Sequence, residues 1–249
     1  MVLSITGMHR SGTSLLASWI NACGLTLDQG RVIPPGVGNK RGFFEDLDFV
    51  LLQEKSIIRQ NRFSGGWKTS SFQELRFSKN EIKTAREIIS LRQDQLISDW
   101  GWKDPRTCLF LRQWKELIPD LKTIVVWRPC NQVAYSLTRR WNRRPSRKLI
   151  IDPLWAIRVW KAYNYSALQF ASSFPEDVII VPLEKLLEND QVILTHINNQ
   201  FGMSLQYKSI QTIYEREMLK QESPTYLKKL CSMMGDEKIE ELLLSYSHI

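Results

Sequence analysis

The sequence predicts an α/β fold, a single doubly wound domain over residues 1–249 with a central parallel sheet flanked by helices. Three observations predict it. Short apolar runs at Val2–Ile5, Ile124–Trp127 and Val178–Pro182 have the length and β-branched content of strands covered on both faces. Stretches with helical apolar spacing separate these runs, the alternation that builds parallel sheets with right-handed crossovers. Glycines bound the turn between the first run and the first helix, where such folds hold a phosphate. A chain of 249 residues can bury a full core, and nothing in it reads as a linker, repeat or low-complexity tract.

The first element is Val2-Leu-Ser-Ile-Thr-Gly-Met-His-Arg-Ser-Gly-Thr-Ser-Leu-Leu16, a strand, a loop and a helix start. Gly7 and Gly12 bound the loop, where side chains would block close approach of a ligand. Leu15, Leu16, Trp19, Ile20 and Cys23 recur at helical spacing, and Gly24 stands where a helix-ending glycine belongs. The loop residues Gly7, His9, Arg10, Ser11, Gly12, Thr13 and Ser14 would present backbone N–H groups and a helix dipole to one anion. An ATP-type loop reads G-x-x-x-x-G-K-[ST], but Thr13 occupies the lysine position. Arg10 lies inside the loop instead, where its planar fork can grip an anionic group being transferred. His9 can hydrogen-bond that group or serve only as a loop residue.

This loop resembles the 5′-phosphosulfate loop of sulfotransferases that use 3′-phosphoadenosine 5′-phosphosulfate (PAPS). Many of these carry lysine at the position of Arg10. The tyrosylprotein type and many bacterial members carry R-S-G-T-[ST], as this chain does. The resemblance implies the P-loop nucleotide-kinase-like fold.

Leu25–Gly42 is irregular and contains Pro34 and Pro35, a length that is usually functional inside a compact domain. It ends in Asn39-Lys-Arg-Gly-Phe-Phe-Glu-Asp46, similar to the N-x-[KR]-G-[FY]-[FWY]-E-[DN] stretch of bacterial sulfotransferases. A helix should follow, burying Phe49, Val50, Leu52, Ile57 and Ile58. Glu45 is the candidate general base, since sulfuryl transfer removes a proton from the acceptor and a carboxylate in a dry cleft can take it. Phe43 and Phe44 would desolvate it. Glu45 and Asp46 also read as first-turn acids that complement the helix dipole, a role that suits Asp46 better. Phe63–Phe77 is a polar loop. Ser78-Lys-Asn-Glu81 is a capping box that opens a surface helix to about Leu91.

Trp100-Gly-Trp-Lys-Asp-Pro-Arg-Thr107 places Lys103 at the carboxyl end of a short buried strand, where open α/β sheets put their sites. Asp104 or Thr107 caps the next helix, with Leu109, Phe110, Leu111 and Trp114 packed inward. The K-D-P run resembles the family's second lysine-bearing strand, which implies that Lys103 approaches the bridging oxygen of the leaving phosphate. Some cytosolic sulfotransferases carry a catalytic histidine two residues after this lysine. Pro105 stands there in this chain, so the base must come from elsewhere. Lys103–Asp104 also reads as a local ion pair at a helix start.

Ile124–Trp127 is the third strand, with Arg128 at its carboxyl end and Ser136 eight residues on in a helix. This pattern matches the sulfotransferase motif R-x-P-x-x-x-x-x-S. The resemblance implies that Arg128 and Ser136 bind the ribose 3′-phosphate, which PAPS has and ATP lacks. Cys130 departs from the Asp or Asn usual beside the proline. Further on, Asp152-Pro153 starts a helix to about Ser172 with Leu154, Ile157, Trp160, Ala167, Leu168 and Phe170 buried. Tyr163 and Tyr165 read as packing residues. Val178–Pro182 is the last strand. Helices at Leu183–Leu187 and Val192–Phe201, stopped by Gly202, precede helical pieces, one of them starting at Ser223-Pro224.

The formal charge is +8, and Arg139–Lys148 contains six cations and no acid. Such a patch means an anionic partner or a solvated loop. As a lid it would order over an acidic acceptor. The four cysteines, Cys23, Cys108, Cys130 and Cys231, are far apart with no paired metal spacing, which fits a reducing cytoplasm. The first strand begins at Val2, leaving no room for a signal peptide, and no apolar run approaches the length of a membrane span.

The resemblance thus implies a cytoplasmic, bacterial-type enzyme that moves a sulfuryl group from PAPS to a hydroxyl or amine of a small-molecule or glycan acceptor. Arg10, Lys103 and Glu45 would be its catalytic residues, with no metal required. Two other readings stay open: a P-loop small-molecule kinase, disfavoured by Thr13, and a non-enzymatic polyanion-binding module built on Arg139–Lys148. Trp141 alone interleaves with that basic run, so sequence-specific reading of nucleic acid is not expected.

Overall fold

The computed structural model describes residues 1–27, 44–60, 66, 75–95, 99–142, 152–213 and 222–247. Asn39–Phe43, Gly65, Trp67, Arg143, Arg144, Arg147, Lys148 and His248 lie outside them, and with them the motif before Glu45 and the expected basic lid. Four strands are present among the described residues: β1 (Val2–Thr6), β2 (Trp100–Lys103), β3 (Lys122–Trp127) and β4 (Val178–Pro182). Their helices are α1 (Thr13–Ala22), α2 (Leu47–Arg59), α3 (Lys79–Gln95), α4 (Leu111–Leu117), α5 (Cys130–Asn142), α6 (Pro153–Ser173), α7 (Leu183–Glu188), α8 (Asp190–Phe201), α9 (Thr225–Met233) and α10 (Glu237–Ser245).

The sheet has the order β2-β1-β3-β4 and every pair is parallel. Ile5 is level with Lys103 on one side and with Ile124 on the other. The chain leaves β1 for β2 on one flank and then crosses to β3 on the other. That reversal opens a crevice outside the carboxyl end of β1, the usual position of a ligand in open α/β sheets.

The strands are apolar throughout because alternate side chains feed two different cores. Val125, Trp127, Val178 and Ile180 join Trp100 and Trp102 under α2 to α6, α9 and α10. Leu3, Ile5, Ile124, Val126, Ile179 and Val181 pack under α1 and α8. Phe49 of α2 stacks on Trp102 with ring centroids 4.4 Å apart. Burying such a side chain contributes about 1.5–3 kcal/mol. Among the described residues no helix is long and apolar enough to cross a membrane.

Capping residues fix the helices as the spacing predicts. Ser78 N donates to Glu81 Oε2 (2.7 Å) and Glu81 N to Ser78 Oγ (3.3 Å), a reciprocal capping box at the start of α3. Asp152 accepts from Trp155 N at 2.8 Å, and Gly202 ends α8 with a left-handed φ of 66°. Two expected core residues point outward instead. Ile58 is 54% exposed, because Ile57 takes the inward position about 100° away on the helix. Leu154 is 43% exposed in the first turn of α6.

Candidate active site

The loop after β1 carries the first group of residues. Gly7 has φ 135°, and a Cβ there would stand 2.1 Å from the Val126 carbonyl oxygen of β3. At Gly12, φ 97°, a Cβ would stand 2.7 Å from Leu183. Both glycines thus let the loop lie against β3 and α7, a packing requirement additional to the expected close approach of a ligand. Arg10 is itself left-handed, with φ 74°. Ser11 N donates back to the Met8 carbonyl at 3.1 Å. Ser11 Oγ is buried and has no hydrogen-bond partner among the described residues, nor has Trp127 Nε1 at the end of β3. Buried polar atoms without partners are uncommon, and each calls for a physical reason such as a bound ion, a water or a catalytic role. Thr13 is buried and Ser14 half-buried in the first turn of α1.

Lys103 ends β2 and is 1% exposed. Its Nζ donates to Glu45 Oε1 at 2.7 Å and to Ser14 Oγ at 3.1 Å. The structure therefore joins the candidate base, the lysine and the first turn of α1. It also rules out the local Lys103–Asp104 pair: Asp104 instead accepts from Arg106 N (2.9 Å), Arg106 Nη1 (2.8 Å) and Gln53 Nε2 (2.8 Å). Complete burial pushes the Asp104 carboxyl upward, and the Arg106 guanidinium opposes that; three donors on two oxygens fit the carboxylate form. Thr6 Oγ1 donates to the Asp104 carbonyl at 2.9 Å, tying the ends of β1 and β2 together.

Glu45 is held from behind. Asp46 caps α2 by accepting from Asp48 N (3.0 Å) and forms a buried ion pair with Arg92 of α3 at 2.7 Å. Asp46 thus has the first-turn structural role and leaves Glu45 to the crevice. Phe44 has a left-handed φ of 53° and packs partly on the α1–α8 core. Arg106 lies between Glu54 (3.0 Å) and Glu45 (3.8 Å). Arg106, Gln53 and Glu54 escaped sequence reasoning. The signal for Gln53 is its place in the apolar stripe Phe49–Gln53–Ile57, where a polar residue must find a buried partner.

Arg128 follows β3 and donates from Nε to Gln132 Oε1 at 2.6 Å, while its carbonyl accepts from Trp160 Nε1. Ser136 Oγ accepts from Arg10 Nε at 3.0 Å, across 126 residues of sequence. The structure thus brings the first loop and the third motif into direct contact. His9 is buried and stands edge-on to Tyr163, with ring centroids 6.0 Å apart. Tyr163 is fully buried, as a packing residue should be, and Tyr165 is 40% exposed. Cys130 and Cys231 are far apart in sequence, and the fold brings their sulfurs to 3.5 Å.

No family model matches the sequence, and no curated protein matches it. Solved structures do. The sulfotransferase domain of the Synechococcus PCC 7002 olefin synthase is similar, with a TM-score of 0.55 at 15% identity over 100% of this chain and 94% of that one. A sulfotransferase from Alicyclobacillus acidocaldarius gives a TM-score of 0.56 at 15% identity, covering 99% and 95%. A Mycobacterium avium sulfotransferase gives 0.56 at 12% identity, covering 99% and 75%. Four parallel strands between helical layers, with a glycine-bounded loop after the first, give this chain the P-loop-like α/β fold of the bacterial sulfotransferases.

Proposed function

We propose that the chain is a sulfotransferase that moves a sulfuryl group from PAPS to a hydroxyl or amine. One observation carries the reading: Gly7–Ser14, Lys103 and Arg128 converge at the carboxyl ends of three adjacent parallel strands, with Ser136 bonded to Arg10. The orphaned Ser11 hydroxyl in the loop fits an anion held there. Thr13 in place of a lysine sets the loop apart from an ATP loop.

In this reading the loop amides, Ser11 and Arg10 hold the 5′-phosphosulfate end, and Arg128 and Ser136 hold the 3′-phosphate. The Arg10–Ser136 bond makes these two grips one unit. Glu45 takes the acceptor proton as the acceptor oxygen or nitrogen bonds to sulfur and the bond from sulfur to the phosphate oxygen breaks. Protonation cancels the charge that holds Lys103, and the freed ammonium stabilises the leaving oxygen. Proton removal and leaving-group stabilisation would then be coupled through one buried ion pair. The acceptor is a small molecule or glycan, and an acidic one would suit the basic run Arg139–Lys148.

The test is a thermal shift with 3′-phosphoadenosine 5′-phosphate against ATP with magnesium. A ligand that binds only the folded chain adds about 2.7 kcal/mol at a hundredfold excess over its Kd. The bisphosphate should raise Tm and ATP should not. Equal shifts would sink the proposal.

A further inference from the structure

Away from the crevice, α5 meets the C-terminal helices in a cluster that sulfuryl transfer does not use. Cys130, Cys231 and Asp236 are buried, and their two sulfurs and a carboxylate oxygen all lie within 4.8 Å of one another. The sulfurs are 3.5 Å apart. Two thiolates on a tetrahedral zinc, each about 2.3 Å from the metal, stand roughly 3.8 Å apart, so little movement separates the two arrangements. Asp236 is only 5% exposed, and its Oδ1 has no hydrogen-bond partner among the described residues. An unpartnered oxygen on a buried carboxylate is costly. Among the described residues neither Asp236 nor Glu240 makes an ion-pair contact; backbone N–H groups of Asp236 and Glu237 and the more distant Lys161 charge act on the Asp236 carboxylate, while Lys161 donates its ammonium to the Met234 carbonyl. Glu240, one turn beyond Asp236 on α10, accepts the Cys130 N–H at 2.7 Å and holds that cysteine against the C-terminal helices.

We propose that Cys130, Cys231 and Asp236 form a site for a thiophilic divalent cation of the zinc class, tying α9 and α10 to the start of α5. The cation would replace two thiol protons, which pass to solvent, and would give Asp236 Oδ1 a partner. A fourth position remains for water. A Cys130–Cys231 disulfide accounts for less: it would need an oxidant, would draw the sulfurs to about 2.05 Å, and would leave the Asp236 oxygen unpartnered. Arg128 lies two residues before Cys130, so the cation would brace the strand end that carries it.

The experiment titrates reduced, tag-free, metal-stripped full-length protein with Co²⁺ and then Zn²⁺. One equivalent of Co²⁺ should give a near-ultraviolet thiolate-to-cobalt absorption band, which Zn²⁺ removes. Cys231→Ser and Asp236→Asn should each weaken binding at least about tenfold, while Cys108→Ser should leave it unchanged. Circular dichroism establishes that each variant is folded, and Asp236→Asn keeps the test open if Cys231→Ser is not. A folded wild-type chain without the band overturns the proposal, as does equal affinity in wild type and a folded ligand variant.

Discussion

The Glu45–Lys103 pair offers the sharpest test of the proposed chemistry. Lys103 is 1% exposed and Glu45 10% exposed at the side chain, and they meet at 2.7 Å. Breaking a buried pair from one side costs about 3–5 kcal/mol, because the remaining charge loses its partner. Ser14 still accepts from Lys103 at 3.1 Å, and Glu45 keeps some contact with solvent, so the low end applies. Glu45→Gln should therefore destabilise the chain by about 3 kcal/mol, and Lys103→Met by a similar amount. The double variant removes both charges and should fall well short of the sum, a coupling of about 2–3 kcal/mol. Turnover should behave differently. Losing the base costs about 10²–10⁴-fold, and the double variant should be as slow as its slower parent, since the two groups act as a unit. Urea denaturation gives the stabilities. Release of 3′-phosphoadenosine 5′-phosphate from PAPS, with a metabolite extract as acceptor, gives the rates. Additive stabilities, or a Glu45→Gln variant at wild-type turnover, would refute the coupling.

Ser136→Ala should weaken the bisphosphate by about 10–100-fold, the worth of a charge-assisted hydrogen bond, and adenosine 5′-monophosphate much less, through the lost Arg10 contact alone; calorimetry that finds both ligands weakened alike removes Ser136 from the 3′-phosphate. Gly7→Ala should cost more than about 3 kcal/mol through backbone clash and strain, and a variant melting within a few degrees of wild type would contradict the 2.1 Å approach to Val126. Burial pushes the Glu81 carboxyl up, but hydrogen bonds from Arg59 and Ser78 outweigh it and hold the group below its ordinary range. Its stabilisation is therefore full above the ordinary carboxylate pKa and is lost as pH falls through the lowered folded value. Glu81→Gln should lower stability at neutral pH and flatten its dependence below about pH 5. An acid-unfolding curve parallel to wild type would exclude this.

Local signals were enough for the elements of the fold. Runs such as Ile124–Trp127 read as central strands because they are short, rich in β-branched residues and apolar throughout, as strands covered on both faces are. Caps such as Ser78–Glu81 act within three residues, so spacing alone reveals them. The three motifs proposed to hold anions stand out in the sequence for the same reason: each is a strand end plus the residues just after it. The contacts that bind these motifs together were not legible. Arg10 meets Ser136 across 126 residues, Lys103 meets Glu45 across 58, and Cys130 meets Cys231 across 101. Those distances are set by the crossover from β2 over β1 to β3 and by helices folding back on the sheet. Sequence reasoning gave the glycines a ligand to admit, and the tertiary fold adds the close neighbours Val126 and Leu183, which no spacing reveals. The chain by itself determined which residues stand at strand ends and helix starts, because hydrophobic period and capping are local. Only the packed sheet decided which of them touch, because contact between distant segments is a property of topology and not of spacing.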